Sequence, residues 1–420
     1  MNEARPPDVS VRVLTTSEAT YLEFTARRRG VTPFEATLVG SHALISARQA
    51  LETELTRLKD ELTAFVVEDK DLNQVFRRLH SLGCTLLFVL FGPRQKLLND
   101  LKTWWNDALP FGMNPELPPP LVEYVGGKDG FLPLEFLPLF RIHPGPLVET
   151  RGDFARACQT IVGFSCVVHR AMLPAPVDGG IVLCTDPNGR VPIRYLYYEH
   201  LKGAVEELAW FADAGGAHID LEGPYPDGAD HGPGLAEQIL DPRLLLNGAR
   251  RDLPDQVQHF ACHCYTRSDD ELESEIELSG AGHYSRTTLG ALGAELVSLG
   301  ASQEPHTFHR PLVMMNACGS GRMRAPGAPS FPNFFLMHGN RGFIGTETEI
   351  PDDVAATFSK ALYERFLIHR IPLGRALLES RRHLLYTLRN PLGLTYVAYA
   401  DPGLHVRPTP EEKYHAAAHP

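Results

Sequence analysis

The chain of 420 residues is 43% hydrophobic and 22% charged, an ordinary composition for a soluble globular protein and enough length for two cores or one very large sheet. Its net charge of −11, from 40 basic and 51 acidic residues, argues against a general binder of nucleic acid, which carries a basic surplus or stripe. The first eight residues lack the apolar core of a signal peptide, and the apolar run at 86–91 is far too short to span a bilayer. Seven cysteines are an odd count, and Cys84, Cys166 and Cys184 sit inside apolar runs. They read as buried, reduced thiols of a cytoplasmic protein rather than as a disulfide framework.

Between about 9 and 45 apolar and polar positions alternate, as in Val9, Val11 and Val13 around Ser10 and Arg12, and this predicts a few antiparallel strands. Residues 46–66 switch to helical spacing, with Leu51, Leu55, Leu58 and Leu62 on one stripe. A second helix is predicted over 71–82, a buried strand over 84–91, and a helix through Leu101, Trp104 and Trp105. A proline-rich joint follows, and then a strand at 121–125. Beyond it strands are predicted at 161–169, 180–185, 217–221, 256–262, 312–317, 342–346 and 394–399. Helices are predicted at 200–214, 234–246, 287–299, 331–337, 352–366 and 374–388. Alternating β and α units make a mainly parallel sheet with helices on both faces. Residues 1–79 read as an N-terminal β/α extension, 80–406 as the principal domain and 407–420 as a flexible tail.

Two apolar runs climb to reactive side chains. Val257-Gln258-His259-Phe260-Ala261-Cys262-His263-Cys264 is the first, and Pro311 through Ala317 to Cys318-Gly319-Ser320-Gly321 is the second. The carboxyl ends of parallel strands are where α/β proteins place ligands and catalytic groups. A thiol becomes a competent nucleophile when an imidazole can take its proton, which assigns Cys318 as nucleophile and His263, last on its strand, as base. The backbone amide of Cys318 is a candidate oxyanion donor. By itself Cys318 also fits a buried core cysteine. His259 lies deeper on the same face as His263 and reads as a hydrogen-bonded core residue. Zinc is the weaker reading of this cluster, because alternation sends thiols and imidazoles to opposite faces. The acidic run 269–277 reads as a solvated loop or strand edge, and Trp104 and Trp105 as packing residues.

With a histidine strand about 55 residues before a cysteine strand, the order is that of caspase-type peptidases, and the motifs resemble those of the CHAT family within clan CD, related to separase. His259-Phe260-Ala261-Cys262-His263 resembles the family's histidine strand. Val313-Met314-Met315-Asn316-Ala317-Cys318 resembles its cysteine strand. Residues 339–349 with Pro351-Asp352-Asp353 resemble the strand, acidic turn and helix that close the substrate pocket. Residues 396–402 resemble the last strand with its Asp-Pro ending, and residues 132–139 an early motif. Cys264 stands where the family has glycine, whose amide helps hold the oxyanion, and the tryptophan common in the acidic turn is replaced around Thr348.

The resemblance implies a caspase-like α/β three-layer sandwich and a cysteine endopeptidase with a His263–Cys318 dyad and Cys264 and Cys318 amides at the oxyanion. It implies no cofactor and no metal, a protein substrate, and an activating or inhibitory protein partner in a bacterial defence or cell-death pathway. No nucleic acid or membrane partner is expected. The acidic cluster Glu347, Glu349, Asp352 and Asp353 favours arginine, then lysine, before the cleaved bond, with Glu349 and Asp352 as contacts. Asp352 is equally suited to cap the helix that follows. Arg322, Arg324 and Arg251, in glycine-rich stretches, are candidate self-cleavage sites. A catalytically silent adaptor of the same fold is the competing class.

Overall fold

The computed structural model describes residues 5–16, 19–62, 65–114, 116–126, 132–141, 148–171, 180–213, 215–225, 235–245, 247–266, 271–279, 285–300, 310–323 and 329–407. Three antiparallel strands open the chain, β1 (Val9–Thr15), β2 (Thr20–Ala26) and β3 (Phe34–Thr37), as the period-two alternation predicts. Helices α1 (Ala43–Glu61), α2 (Leu72–Phe91) and α3 (Gln95–Ala108) follow. Strands β4 (Leu121–Val125) and β5 (Val167–Ala171) then add in parallel beside β1, completing a sheet ordered β3-β2-β1-β4-β5. Between them lie α4 (Arg151–Cys158) and the single turn α5 (Val162–Ser165).

Several expectations are corrected here. The strand expected at 84–91 is the second half of α2. Leu79, Leu82, Leu86, Leu87 and Leu90 are its buried residues, a helical spacing hidden by Phe88, which is apolar yet exposed. Cys84 is exposed on that helix, not buried. The expected strand at 161–169 begins as α5 and becomes extended only at Val167. A boundary between 79 and 80 falls inside α2, and the first sheet takes strands from both sides of it.

The second sheet is built by the later part of the chain. Its strands are β7 (Val191–Tyr197), β8 (Ile219–Tyr225), β9 (Val257–Ala261), β13 (Arg310–Asn316), β14 (Asn340–Thr346) and β15 (Tyr396–Ala400). Spatial order is β15-β14-β13-β9-β7-β8, and every pair but the antiparallel β14–β15 is parallel. Short strands β6 (Val182–Leu183) and β16 (His405–Val406) pair with each other. A three-stranded antiparallel sheet, β10 (His263–Tyr265), β11 (Glu275–Leu278) and β12 (Ser285–Thr288), leaves the end of β9.

Helices cover both faces of the six-stranded sheet. α6 (Lys202–Asp213), α10 (Asp352–Tyr363) and α11 (Leu373–His383) lie on one side; α7 (Leu235–Leu240), α8 (Leu289–Gly300) and α9 (Phe331–Met337) lie on the other. Alternation along β9 decides the contacts: His259 packs against Phe211 of α6 and Tyr363 of α10, while Phe260 meets Phe335 of α9. This is the caspase-like three-layer sandwich implied by the motifs. β7 is not expected from the sequence, because its apolar run is interrupted by Pro192 and Arg194. Among the described residues no single helix is long and apolar enough to cross a membrane.

Candidate active site

β9 and β13 are neighbours in parallel register, with Ala261 opposite Asn316 as the last pair. His263 and Cys318 each follow two residues beyond that pair, just past the ends of β9 and β13. Adjacent strands lie about 4.8 Å apart, so the register brings the chain at these two positions to the same edge of the sheet. That edge is the carboxyl end of the parallel strands, beside the point where the chain passes from β7 outward to β8 and then back to β9, the usual place for a site in such sheets.

The turn carrying Cys318 is fastened to β14. Gly319 adopts φ +65°, a conformation that favours glycine. Its amide donates to the Thr346 hydroxyl at 3.0 Å and to the Thr348 carbonyl at 3.1 Å, while the Thr346 hydroxyl donates to the Ala317 carbonyl at 2.8 Å. The Ser320 hydroxyl donates to the Met315 carbonyl at 2.8 Å, and the Gly321 amide to Thr346 at 2.9 Å. Among the described residues the Cys318 amide has no protein acceptor. The thiol sits half-buried, 4.0 Å from the Ile350 carbonyl. Burial raises its pKa, the Ile350 contact opposes this, Glu349 adds to it, and Lys59 and Arg322 oppose it.

His263 is half-buried and packs edge-on against Tyr198, at the end of β7, with ring centroids 4.8 Å apart. Among the described residues its ring makes no hydrogen bond to protein. Glu277 lies directly across from it on β11 but engages the Tyr265 hydroxyl at 3.1 Å and Arg286 at 2.9 Å. Cys264 has an ordinary strand backbone opposite Ile276, so the position does not require glycine. Its own thiol is buried, and burial pushes its pKa up.

His259 is a core residue. Its Nε2 lies 2.7 Å from Glu207 and its Nδ1 2.7 Å from the Tyr363 hydroxyl. Glu207, itself buried, also accepts from Ser359 at 2.6 Å and from Asn316, two residues before Cys318. Tyr396 donates in turn to Asn316. One buried carboxylate thereby ties β9 and β13 to α6 and α10, a role that no local sequence pattern announces.

The four acidic residues expected around the pocket separate. Glu347 is buried, held by Arg48 at 2.6 Å and Arg170 at 2.7 Å. Asp353 accepts from the Val354 amide of its own helix at 2.9 Å. Asp352 does not cap its own helix: its carboxylate accepts from the Gly203 amide at the start of α6 at 2.7 Å. Burial lifts its pKa above the usual carboxylate range, an effect the Gly203 amide opposes. Glu349 projects, with 64% of its side chain exposed, and contacts Lys59 at 2.5 Å; Asp353 is exposed as well.

The expected self-cleavage residues are largely tied down. Arg322 donates to the Glu347 carbonyl at 3.0 Å and to Thr266 at 3.1 Å, and Met323 beside it is fully buried. Arg251 pairs with Asp255 and with Asp220 at 3.5 Å. Neither is the exposed, flexible position expected, because each guanidinium bridges two segments. Arg324 lies outside the described residues, as does the tail from 408.

A family model described as the CHAT domain matches residues 180–416. A protein of Vitiosangium sp. described as a probable protease is 34% identical over 97 residues, which are 23% of this chain and 13% of that relative's length. Chains from two crystal structures of the Saccharomyces cerevisiae separase–securin complex align over 95% of this chain and 30% of their own length. Their identities are 11% and 12%, and their TM-scores 0.41 and 0.43. With a family model that takes in more than half of its residues, including both strands that bear His263 and Cys318, the protein belongs to the CHAT domain family.

Proposed function

We propose that the protein is a cysteine endopeptidase in which His263 is the base and Cys318 the nucleophile. The observation that carries this reading is the β9–β13 register, which brings the ends of the two strands together. His263 takes the thiol proton; the sulfur attacks the scissile carbonyl carbon, and the carbonyl electron pair moves onto oxygen. The Cys318 amide, with that of Cys264, receives the oxyanion. Collapse expels the amine, which takes its proton from the imidazolium, and leaves a thioester on Cys318. Water, deprotonated by His263, then attacks the thioester and releases the acid. No cofactor enters these steps.

The substrate is a protein with arginine or lysine before the scissile bond, received by Glu349, with Asp352 adding negative potential from behind. A resting thiol raised by burial suits an enzyme that a protein partner switches on, in a bacterial defence or cell-death pathway. The test is hydrolysis of fluorogenic peptides that differ only at the residue before the reporter. Arginine is expected first, lysine second, with Cys318→Ala inert. A wild type that cuts none of these peptides and that no alkylating active-site probe labels would favour the silent adaptor, and cleavage by Cys318→Ala would overturn Cys318 as nucleophile.

A further inference from the structure

The family model begins at residue 180, yet helix α1, far outside it, reaches the loops around Cys318. Arg48 pairs with Glu347 at 2.6 Å, Glu52 lies 3.7 Å from Arg322, and Lys59 contacts Glu349 at 2.5 Å. At 3.6 residues per turn, positions 48, 52 and 59 fall within roughly 40° of one another around the helix. One stripe of α1 therefore addresses the loops that follow β13 and β14.

The three contacts differ in kind. Arg48 and Glu347 have side chains 9% and 0% exposed, and removing one partner of such a pair leaves a buried charge. This contact anchors the helix. Lys59 has a side chain only 21% exposed and reaches from it to Glu349, which is 64% exposed. An ion pair open to water on one side is weak and exchangeable. Glu349 is also the carboxylate close enough to Cys318 to act on its thiol, and Lys59 acts on the same thiol with opposite sign. The cation and the carboxylate both border the place where a substrate must lie.

We propose that Lys59 is a specificity-determining residue: its ammonium is an internal occupant of the Glu349 carboxylate, which an incoming substrate arginine or lysine must displace. The inference rests on the basic specificity proposed above. Lys59 sets a threshold for binding, so that a guanidinium, able to engage a carboxylate with two parallel bonds, displaces it better than a second ammonium does. The N-terminal helix is thereby part of the substrate site.

The experiment uses the full chain and peptides with arginine or norleucine before the scissile bond. Lys59→Met should lower KM for the arginine peptide about two- to fivefold relative to the norleucine peptide, the scale of an exposed ion pair, while any effect of Lys59 on the thiol falls on both peptides alike. Lys59→Arg should restore the higher KM ratio, and in a Glu349→Gln background Lys59→Met should leave the KM ratio of the two peptides unchanged. A basic preference that depends on Glu349, together with an unmoved KM ratio in Lys59→Met and in Lys59→Gln, overturns the role of Lys59 alone. No basic preference in wild type, or one that survives Glu349→Gln, overturns the proposed specificity and this inference with it. Thermal melting separates these outcomes from misfolding, and Lys59→Gln serves if Lys59→Met is unstable.

Discussion

His259 and His263 share one strand face, yet only His263 stands where the strand leaves the sheet. His263→Ala and Cys318→Ala should each abolish hydrolysis, and the double variant should be scarcely slower than either, because the two act as a unit. His259→Ala should instead strip Glu207 of a buried partner and cost about 2–5 kcal/mol, read as a lower denaturation midpoint. Activity lost in a stable His259→Ala protein and kept in His263→Ala would reverse the assignment of the base. The thiol offers a second check at this scale. Burial first, and Glu349 among the lesser causes, raise its pKa, so alkylation of Cys318 by iodoacetamide should keep accelerating above the ordinary thiol range. Glu349→Gln removes a negative charge that disfavours the thiolate, so its curve should move to lower pH; a shift to higher pH would contradict that electrostatic picture. The two residues proposed for catalysis stand out in the sequence because each ends an apolar run. Glu207 and Lys59 are not, because their partners lie 52 and 290 positions away and ion pairs across folds leave no periodic trace.

At the scale of elements, continuous apolar runs were the ambiguous ones. Residues 84–91 read as a strand because β-type and helical burial look alike in a short apolar segment, while α2 has Gly83 against Pro138 and the Phe136 carbonyl. β7 escaped notice because Pro192 and Arg194 interrupt it; Arg194 is buried against Asp255 at 2.7 Å, so a charge that looks like solvent exposure is a satisfied core pair. The strands around the site were legible, since a run ending in a glycine turn marks its own boundary. That turn is tightly fitted. A Cβ on Gly321 would lie 2.8 Å from the Gly345 carbonyl carbon, which is backbone that cannot rotate away, and 2.9 Å from a methyl group of Val397. Gly321→Ala should therefore cost about 1–3 kcal/mol as overpacking and lower kcat by displacing Cys318. Gly293→Ala, on α8 with open space around it, should be neutral or stabilising by up to about 1 kcal/mol. Equal effects of the two on melting temperature and turnover would show that the turn has no special fit.

Across the whole molecule, four buried charges join what the sequence divides. Arg170 on β5 donates to both oxygens of Glu135, at 2.8 and 2.9 Å, and to Glu347 at 2.7 Å; Glu347 closes the chain on Arg48 of α1. Arg170 also donates to the Tyr399 hydroxyl on β15 at 2.9 Å. The first sheet is thus bonded to the loop after β14, within the same stretch that braces Gly319 and Arg322. An alternation of strands and helices reveals two sheets but not the charges between them, because buried carboxylates and guanidinia are identical in sequence to surface ones. The expected consequence is a single cooperative unit in which the N-terminal residues support the geometry at Cys318. Arg170→Met would leave Glu135 buried without its paired cation and Glu347 with Arg48 alone, at a cost of about 3–5 kcal/mol. Calorimetry should show one transition at lower temperature, and amide exchange should quicken in β1 and β2 together with β13 and β14. If protection fell only in the first sheet while β13 and β14 kept theirs, the two sheets would be independent folding units and the N-terminal part no more than an appended layer.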